Sequence, residues 1–209
     1  MPDFLLALWP LSTLQVAAFL PAALLVGLTP GPNNFLALAT AGRAGPAAAL
    51  RGLIGRCAAF AVLTVLVALG LDRLLAGSQL AFSVLKWGGV AYLCYLAWRT
   101  WTAPVEGEPE RASGGWREFL TCMANPKAYL LMTAFLPQFL GPGSPLAQLL
   151  ALGALYIVME AIAALAWIGA GTLLRRGALT ARGKRWLNRV FGGLMGLAAL
   201  LLARAARPG

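Results

Sequence analysis

Uncharged runs divide the 209-residue chain into segments of membrane-spanning length. The runs without Asp, Glu, Lys or Arg cover residues 4–42, 57–71, 74–85, 87–98, 128–159, 161–174 and 190–203. A transmembrane helix needs about 20 mostly apolar residues, and isolated charges inside it must face protein or water. The pattern therefore predicts six spans, near residues 14–40, 53–71, 80–98, 119–140, 147–173 and 187–203.

The composition agrees with a polytopic membrane protein and excludes other classes. Hydrophobic residues make up 60% of the chain and charged residues 11%, with a mean hydropathy of +0.75. Soluble domains carry about 25% charged residues. The chain has no histidine, which excludes an imidazole base, nucleophile or metal ligand. No basic residue precedes the first apolar run, so we expect no cleaved signal peptide.

The basic residues predict the orientation. Connections one, three and five carry two, three and six lysines or arginines, when Arg189 at the start of the sixth span is counted with the fifth connection, whereas the other connections and the termini together carry three. Because cytoplasmic loops are enriched in these residues, we expect those three connections in the cytoplasm and both termini outside. The same bias explains the net charge of +10, so no nucleic-acid partner is expected. Tryptophans near the predicted span ends fit an interfacial belt: Trp9, Trp98, Trp101, Trp116 and Trp186.

A hydrophilic linker separates two halves of similar organisation. It covers residues 102–117 and contains Glu106, Glu108 and Glu110, between a first half at 1–101 and a second at 118–209. Three spans per half force the halves to insert in opposite orientations, as in many secondary transporters. The first span of each half also carries a proline break. We predict an all-α membrane protein of six transmembrane helices, arranged as two inverted three-helix repeats with a broken first helix in each half.

The two breaks form the candidate binding site. Proline removes a backbone hydrogen bond, and in hydrocarbon the freed carbonyls persist only beside protein or a wet cavity. Exposed carbonyls and a half-helix N-terminus suit the ammonium and carboxylate groups of an amino acid. A structural kink without binding is the alternative. The candidate substrate contacts are Thr29, Pro30, Gly31, Pro32, Asn33 and Asn34 in the first half, and Asn125, Pro126 and Lys127 in the second.

Lys127 and Glu160 are the charged residues farthest from any predicted span end. A charge at mid-bilayer costs about 2.5–3.5 kcal/mol on insertion scales, so we expect these two residues to pair. The pair is either a static contact or a functional one, in which Glu160 exchanges a proton and Lys127 holds a substrate carboxylate. Arg56 and Lys86 lie nearer the span ends and are expected to extend to the lipid headgroups.

Several motifs resemble the LysE/RhtB family of amino-acid exporters. They are Gly27-Leu-Thr-Pro-Gly-Pro-Asn-Asn34, Gly42-Arg43-x-Gly45, Leu85-Lys-Trp-Gly-Gly-x-Ala-Tyr-Leu93, Trp98-Arg99, Asn125-Pro-Lys127 and Phe135-Leu-Pro-Gln-Phe139. The resemblance implies a secondary transporter rather than an enzyme, without a cofactor. It would export amino acids or their derivatives across the inner membrane, driven by the proton gradient. Lipid is the expected surrounding partner, and a homo-oligomer is left open.

Two other functions stay open. One is export of another small solute or a cation, although the spans lack histidine and contain a single acid, Glu160, too few ligands for a dedicated divalent metal site. The other is a thiol-disulfide relay. The cysteines Cys57, Cys94 and Cys122 form no CxxC motif and are expected to pack as small hydrophobes.

The topology can be tested by cysteine accessibility. A single cysteine placed within residues 177–183 of a cysteine-free variant should escape an impermeant thiol reagent in intact cells, because that connection is predicted to be cytoplasmic. The same position should react after permeabilisation. A cysteine within residues 72–79 is the external control. Strong labelling within 177–183 in intact cells would contradict the assignment.

Overall fold

The structure, a computed structural model, describes residues 10–70, 78–102, 114–176 and 181–204, and these residues contain helices but no strand. Trp9 and the linker glutamates Glu106, Glu108 and Glu110 lie outside the described residues. A π-helical turn, Leu131–Phe135, and a 3-10 turn, Leu136–Phe139, follow the sixth helix. The α-helices are α1 (Thr13–Leu28), α2 (Pro32–Ala44), α3 (Pro46–Ala68), α4 (Gln79–Trp101), α5 (Gly115–Met123), α6 (Pro126–Leu130), α7 (Pro145–Arg176) and α8 (Ala181–Arg204).

All six predicted spans are mainly helical in the described residues, but fewer helices are long and apolar enough to cross a membrane alone. By length and hydropathy, Pro46–Ala68, Pro145–Arg175 and Arg185–Arg204 could each span. Helices α1 and α2, bent by 62° at their junction, would form a fourth span if taken together. The described residues therefore form an all-helical membrane protein with three or four candidate spans.

Proline chemistry explains the first helix break. The residue before a proline is driven out of the α region, and Thr29 is accordingly extended, with φ −61° and ψ 139°. Pro32 then starts α2, where its missing N–H costs nothing. The sequence between α1 and α2 therefore ends one helix and begins the next within four residues.

The second break follows the same logic. Helix α5 ends at Met123, and Pro126 is the first residue of α6. The Asn125 side chain accepts a hydrogen bond of 3.0 Å from the Lys127 backbone N–H, as an N-cap does. Both interruptions predicted from the prolines are thus present.

The helices pack in pairs that join the two halves. Helices α1 and α2 lie against α7, α3 contacts both α5 and α7, and α4 packs along α8. Glycine makes the closest approaches: a Cβ on Gly55 of α3 would overlap the carbonyl oxygen of Gly115 in α5, and one on Gly171 of α7 would overlap that of Leu38 in α2. The outer surface is apolar, and Leu14, for example, is 79% exposed.

Arginines from three connections gather at one end of the helices. The Arg43 side chain donates to the Asn188 side-chain oxygen, and Arg175 lies over Gly45, whose φ of 90° favours glycine between α2 and α3. Arg117 and Arg99, from the third connection, lie near enough to Arg43 to repel it. The connections predicted to be cytoplasmic therefore supply arginines to the same end.

Candidate functional site

Arg56 of α3 is the centre of the buried polar network. Its side chain is 0% exposed, and each of its five N–H groups has an acceptor. Nε and Nη2 donate to the two oxygens of Glu118 at 3.1 and 3.2 Å. Nη1 donates to Glu160 Oε1 at 3.2 Å and to Asn34 Oδ1 at 3.0 Å, and Nη2 also donates to the Asn33 carbonyl. This single guanidinium therefore joins α2, α3, α5 and α7.

The expectation that Arg56 extends to the headgroups is wrong. Arg56 follows Gly55 directly and lies one helical turn after Gly52, on the face of α3 that packs against α5. There the contact between Gly55 and Gly115 leaves no room for lipid. The carboxylates that neutralise it lie 62 and 104 residues away in the chain. The two glycines beside Arg56 were the available signal, because small residues mark close helix contacts.

Glu118 is the site residue that sequence reasoning missed. It lies in the first turn of α5, one residue beyond the predicted linker, and is 2% exposed. Because Gly52 has no side chain, the Glu118 Cγ can approach α3: a Cβ on Gly52 would lie 3.0 Å from it. Asn33 Nδ2 adds a hydrogen bond of 2.9 Å to Glu118 Oε2. Glu118 is therefore fixed by both α2 and α3.

Glu160 is buried within α7, as the sequence indicated, but its ion-pair partner is Arg56. Its second oxygen accepts a hydrogen bond of 2.9 Å from the Tyr156 hydroxyl, one helical turn earlier. Gly27 of α1 faces the same carboxylate, and a Cβ there would lie 3.3 Å from Glu160 Oε2. Each oxygen of Glu160 thus has one described donor.

Lys127 does not form the predicted ion pair with Glu160. Its ammonium donates to the Thr29 carbonyl at 2.9 Å, so it bridges the second break to the first. The break at Pro30 frees the Thr29 carbonyl, which is an acceptor within reach of Lys127. Glu160 is already neutralised by Arg56. Lys86, also expected at the headgroups, is half-buried, with its ammonium 5.4 Å from the Trp87 ring centre.

Asparagines hold the two breaks together. Asn34 Nδ2 donates to the carbonyls of Gly27 and Thr29, both at 2.9 Å, and so satisfies acceptors at the end of α1. Asn125 Nδ2 donates to Asn33 Oδ1 at 3.0 Å and joins the second break to the first. In this conformation the amide groups of Asn33 and Asn34 are engaged within the protein.

A small cavity lies where the breaks meet α3 and α7. Its volume is about 10 Å³, close to the space that one water molecule needs. Of the sequence candidates, Gly31, Asn33, Asn34, Asn125, Lys127 and Glu160 line it. Phe60, Ala128, Leu131 and Tyr156 complete the wall. The remaining candidates, Thr29, Pro30, Pro32 and Pro126, shape the breaks beside the cavity without lining it.

The site is charge-balanced and offers no metal centre among the residues described. Arg56 and Lys127 are formally matched by Glu118 and Glu160. No group of three or more histidine, cysteine, aspartate or glutamate residues in the described ranges could hold a metal ion. The three cysteines are free thiols. The described chemistry is therefore paired charges beside unwound backbone.

Comparisons with known proteins point in one direction. The family model described as LysE type translocator matches residues 24–206. The homoserine/homoserine lactone efflux protein of Salmonella typhimurium is 33% identical over 199 residues, which cover 90% of this chain and 95% of that protein. The cysteine/O-acetylserine efflux protein of Shigella flexneri is 29% identical over 170 residues, covering 79% and 87% of the two chains. An uncharacterized membrane protein of Vibrio cholerae is 29% identical over 196 residues, covering 90% and 96%. No solved structure matches.

Removal of the central guanidinium should destabilise the fold. Arg56→Met leaves Glu118 and Glu160 buried without their cation, and losing one partner of a buried ion pair costs about 3–5 kcal/mol. We expect a lower Tm of the purified protein in detergent and less folded protein in the membrane. Both measurements use the full chain.

Two variants control for this effect. Arg51→Met changes an exposed arginine on the same helix and should leave the Tm near that of the native protein. The triple change Arg56→Met, Glu118→Gln and Glu160→Gln should recover much of the loss, because no unpaired carboxylate remains. Native stability of the single Arg56→Met variant would show that Arg56 is not the structural centre.

Proposed function

The chain belongs to the LysE type translocator family, and from this membership we propose how it exports amino acids and which residues bind them. Two relatives are named as efflux proteins for homoserine or its lactone and for cysteine or O-acetylserine. These compounds are small, and none of the amino acids among them has a charged side chain. We infer that this protein is a secondary transporter in the inner membrane that exports small amino acids from the cytoplasm.

The observation that carries the binding site is the cavity with Lys127 and Glu160 in its wall. An amino acid is a zwitterion, and these two side chains offer it one cation and one carboxylate. The Lys127 ammonium, which has three donors, can bind the substrate carboxylate and keep its bond to the Thr29 carbonyl. Glu160 can accept from the substrate ammonium. A plain acid or a plain amine would fill only one of these positions.

The helix breaks serve this site through their backbone. The Thr29 carbonyl accepts from Lys127, Gly27 lies beside Glu160, and the Asn34 amide donates to the carbonyls of both residues. When the substrate ammonium enters, these carbonyls can accept from it in place of Asn34. Asn33, Asn34 and Asn125 hold the two breaks in register until that exchange. Phe60 and Leu131 offer an apolar wall to the substrate side chain.

Transport requires the cavity to enlarge. A volume of about 10 Å³ admits a water molecule but no amino acid, so the structure represents a closed conformation. Substrate must enter after helices of the two halves move apart on one side, and leave after they separate on the other. Glu160, in contact with both Arg56 and Tyr156, is the residue we assign to proton coupling.

The inverted repeat belongs to the same proposal, and the helix contacts support it. The broken first span, α1 with α2, packs on the fifth, α7, and the broken fourth, which begins with α5, packs on the second, α3. The second packs on the fifth and the third, α4, on the sixth, α8. If the two halves are exchanged, the contact of span one with span five becomes the contact of span four with span two. The contacts of span two with span five and of span three with span six stay the same. Six spans in two inverted halves would give this pattern.

Lys127 and Glu160 can be tested by transport. In inside-out vesicles with a panel of labelled amino acids, Lys127→Met should raise KM about ten- to hundred-fold, because a charge-assisted bond to the substrate carboxylate is lost. Glu160→Gln should abolish the dependence of transport on the proton gradient and also raise KM, because the carboxylate that accepts from the substrate ammonium is lost. Full proton-driven activity of Glu160→Gln would remove Glu160 from coupling. No uptake of any amino acid by the native protein would overturn the function.

The first break can be tested by restoring the helix. Replacing Pro30, Gly31 and Pro32 together by alanine should abolish export, because the carbonyls that face the site would bond within a continuous helix. Asn33→Ala and Asn34→Ala should each reduce export. Pro21→Ala is the matched control, since Pro21 lies inside α1 on an exposed face away from the break. Native rates from the triple variant at equal expression would leave the prolines as structural kinks only.

A further inference from the structure

The two carboxylates bound to Arg56 are held unequally. Glu118 takes two hydrogen bonds from the guanidinium, through Nε and Nη2, in the parallel arrangement that is strongest for arginine. Glu160 takes a single bond of 3.2 Å, from Nη1. The contact between Arg56 and Glu160 is therefore the weaker of the two, and it can break while Arg56 keeps Glu118.

The two carboxylates also differ in their access to the cavity. Glu160 lines it, whereas Arg56 and Glu118 lie behind that wall. Of these two carboxylates, only Glu160 can be reached by a substrate ammonium from the cavity. A cation that reaches Glu160 from the cavity approaches a carboxylate that already holds Arg56 on one oxygen and Tyr156 on the other.

We propose that Arg56 is a built-in counter-cation that competes with the substrate ammonium for Glu160, while Arg56 and Glu118 stay together as a fixed pair. This inference rests on the proposed function of Glu160 as the ammonium site. In the empty protein Arg56 neutralises Glu160. Bound substrate takes its place, and Arg56 then relies on Glu118. The affinity for substrate is thus set by two residues that do not line the cavity.

The competition also connects the site with the first helix break. Arg56 Nη1 donates to both Glu160 and Asn34, and the Asn34 amide in turn holds the carbonyls of Gly27 and Thr29. When Glu160 turns to the substrate, Asn34 remains the partner of Nη1. Occupancy of Glu160 therefore changes the bonding of the guanidinium that Asn34, the residue holding the break, still contacts.

Two variants should shift substrate affinity in opposite directions. In Glu118→Gln, Arg56 keeps Glu160 as its only carboxylate, so competition is stronger and the Kd for labelled homoserine should rise about tenfold. In the double variant Arg56→Gln with Glu118→Gln, the competitor is gone and the Kd should fall about tenfold. The measurement is equilibrium binding of labelled homoserine to the purified full chain in detergent. Tm and membrane abundance are recorded for each variant.

The controls separate this inference from the function on which it rests. Arg51→Gln, an exposed position on α3, should leave the Kd unchanged. If the native protein binds homoserine and both network variants are folded yet share its Kd, Arg56 is structural and the inference is wrong. Parallel shifts in the same direction would also contradict it, because loss of structure alone weakens binding in both. If the native protein binds neither homoserine nor cysteine, the proposed function itself fails for these substrates.

Discussion

The fold depends on one requirement: a guanidinium that water cannot reach needs five acceptors and a compensating negative charge. Arg56 obtains them from α2, α5 and α7, so the positions of three other helices are fixed relative to α3. The glycine contact between Gly55 and Gly115 is what brings Glu118 within reach. Desolvation makes such an ion pair of little net benefit to stability, but it makes any other arrangement of these helices expensive. Arg56 therefore determines which arrangement of the helices forms more than it adds to the stability of that arrangement.

The helix breaks create the complementary problem, because each leaves acceptors without donors. The protein meets this need with amide and ammonium groups: Asn34 and Lys127 donate to the carbonyls at the end of α1, and Asn125 joins the second break to the first. These donors belong to flexible side chains in contact with the cavity, so a ligand with its own ammonium can replace them. Under the proposed function, a closed site of this kind is satisfied when empty and exchanges its internal bonds for bonds to substrate.

The sequence predicted features that depend on neighbouring residues and missed contacts between residues that are distant in the chain. Prolines act on their immediate neighbours, so both breaks and the residues around them were predictable, and Lys127 and Glu160 were recognised because a charge inside an apolar run needs an explanation. The partners of Glu160 were not predictable, since Arg56 is 104 residues away and near a predicted span end. Glu118 was overlooked because it adjoins the hydrophilic linker. Helix length in the structure identifies three or four candidate spans, whereas the apolar runs predict six. One reason is that breaks divide the fourth predicted span into short pieces, α5, α6 and the two turns.

The order of synthesis gives the Arg56 network a further consequence. Glu118 is made 62 residues after Arg56, which at 5–20 residues per second is a delay of roughly 3–12 s, and Glu160 follows later still. During that interval α3 carries an arginine whose counter-charges do not yet exist. The nascent first half must therefore stay beside the insertion machinery or near the membrane surface until α5 arrives. The residues before the linker are therefore not an independent folding unit, because the residues after it supply the carboxylates that pair with Arg56.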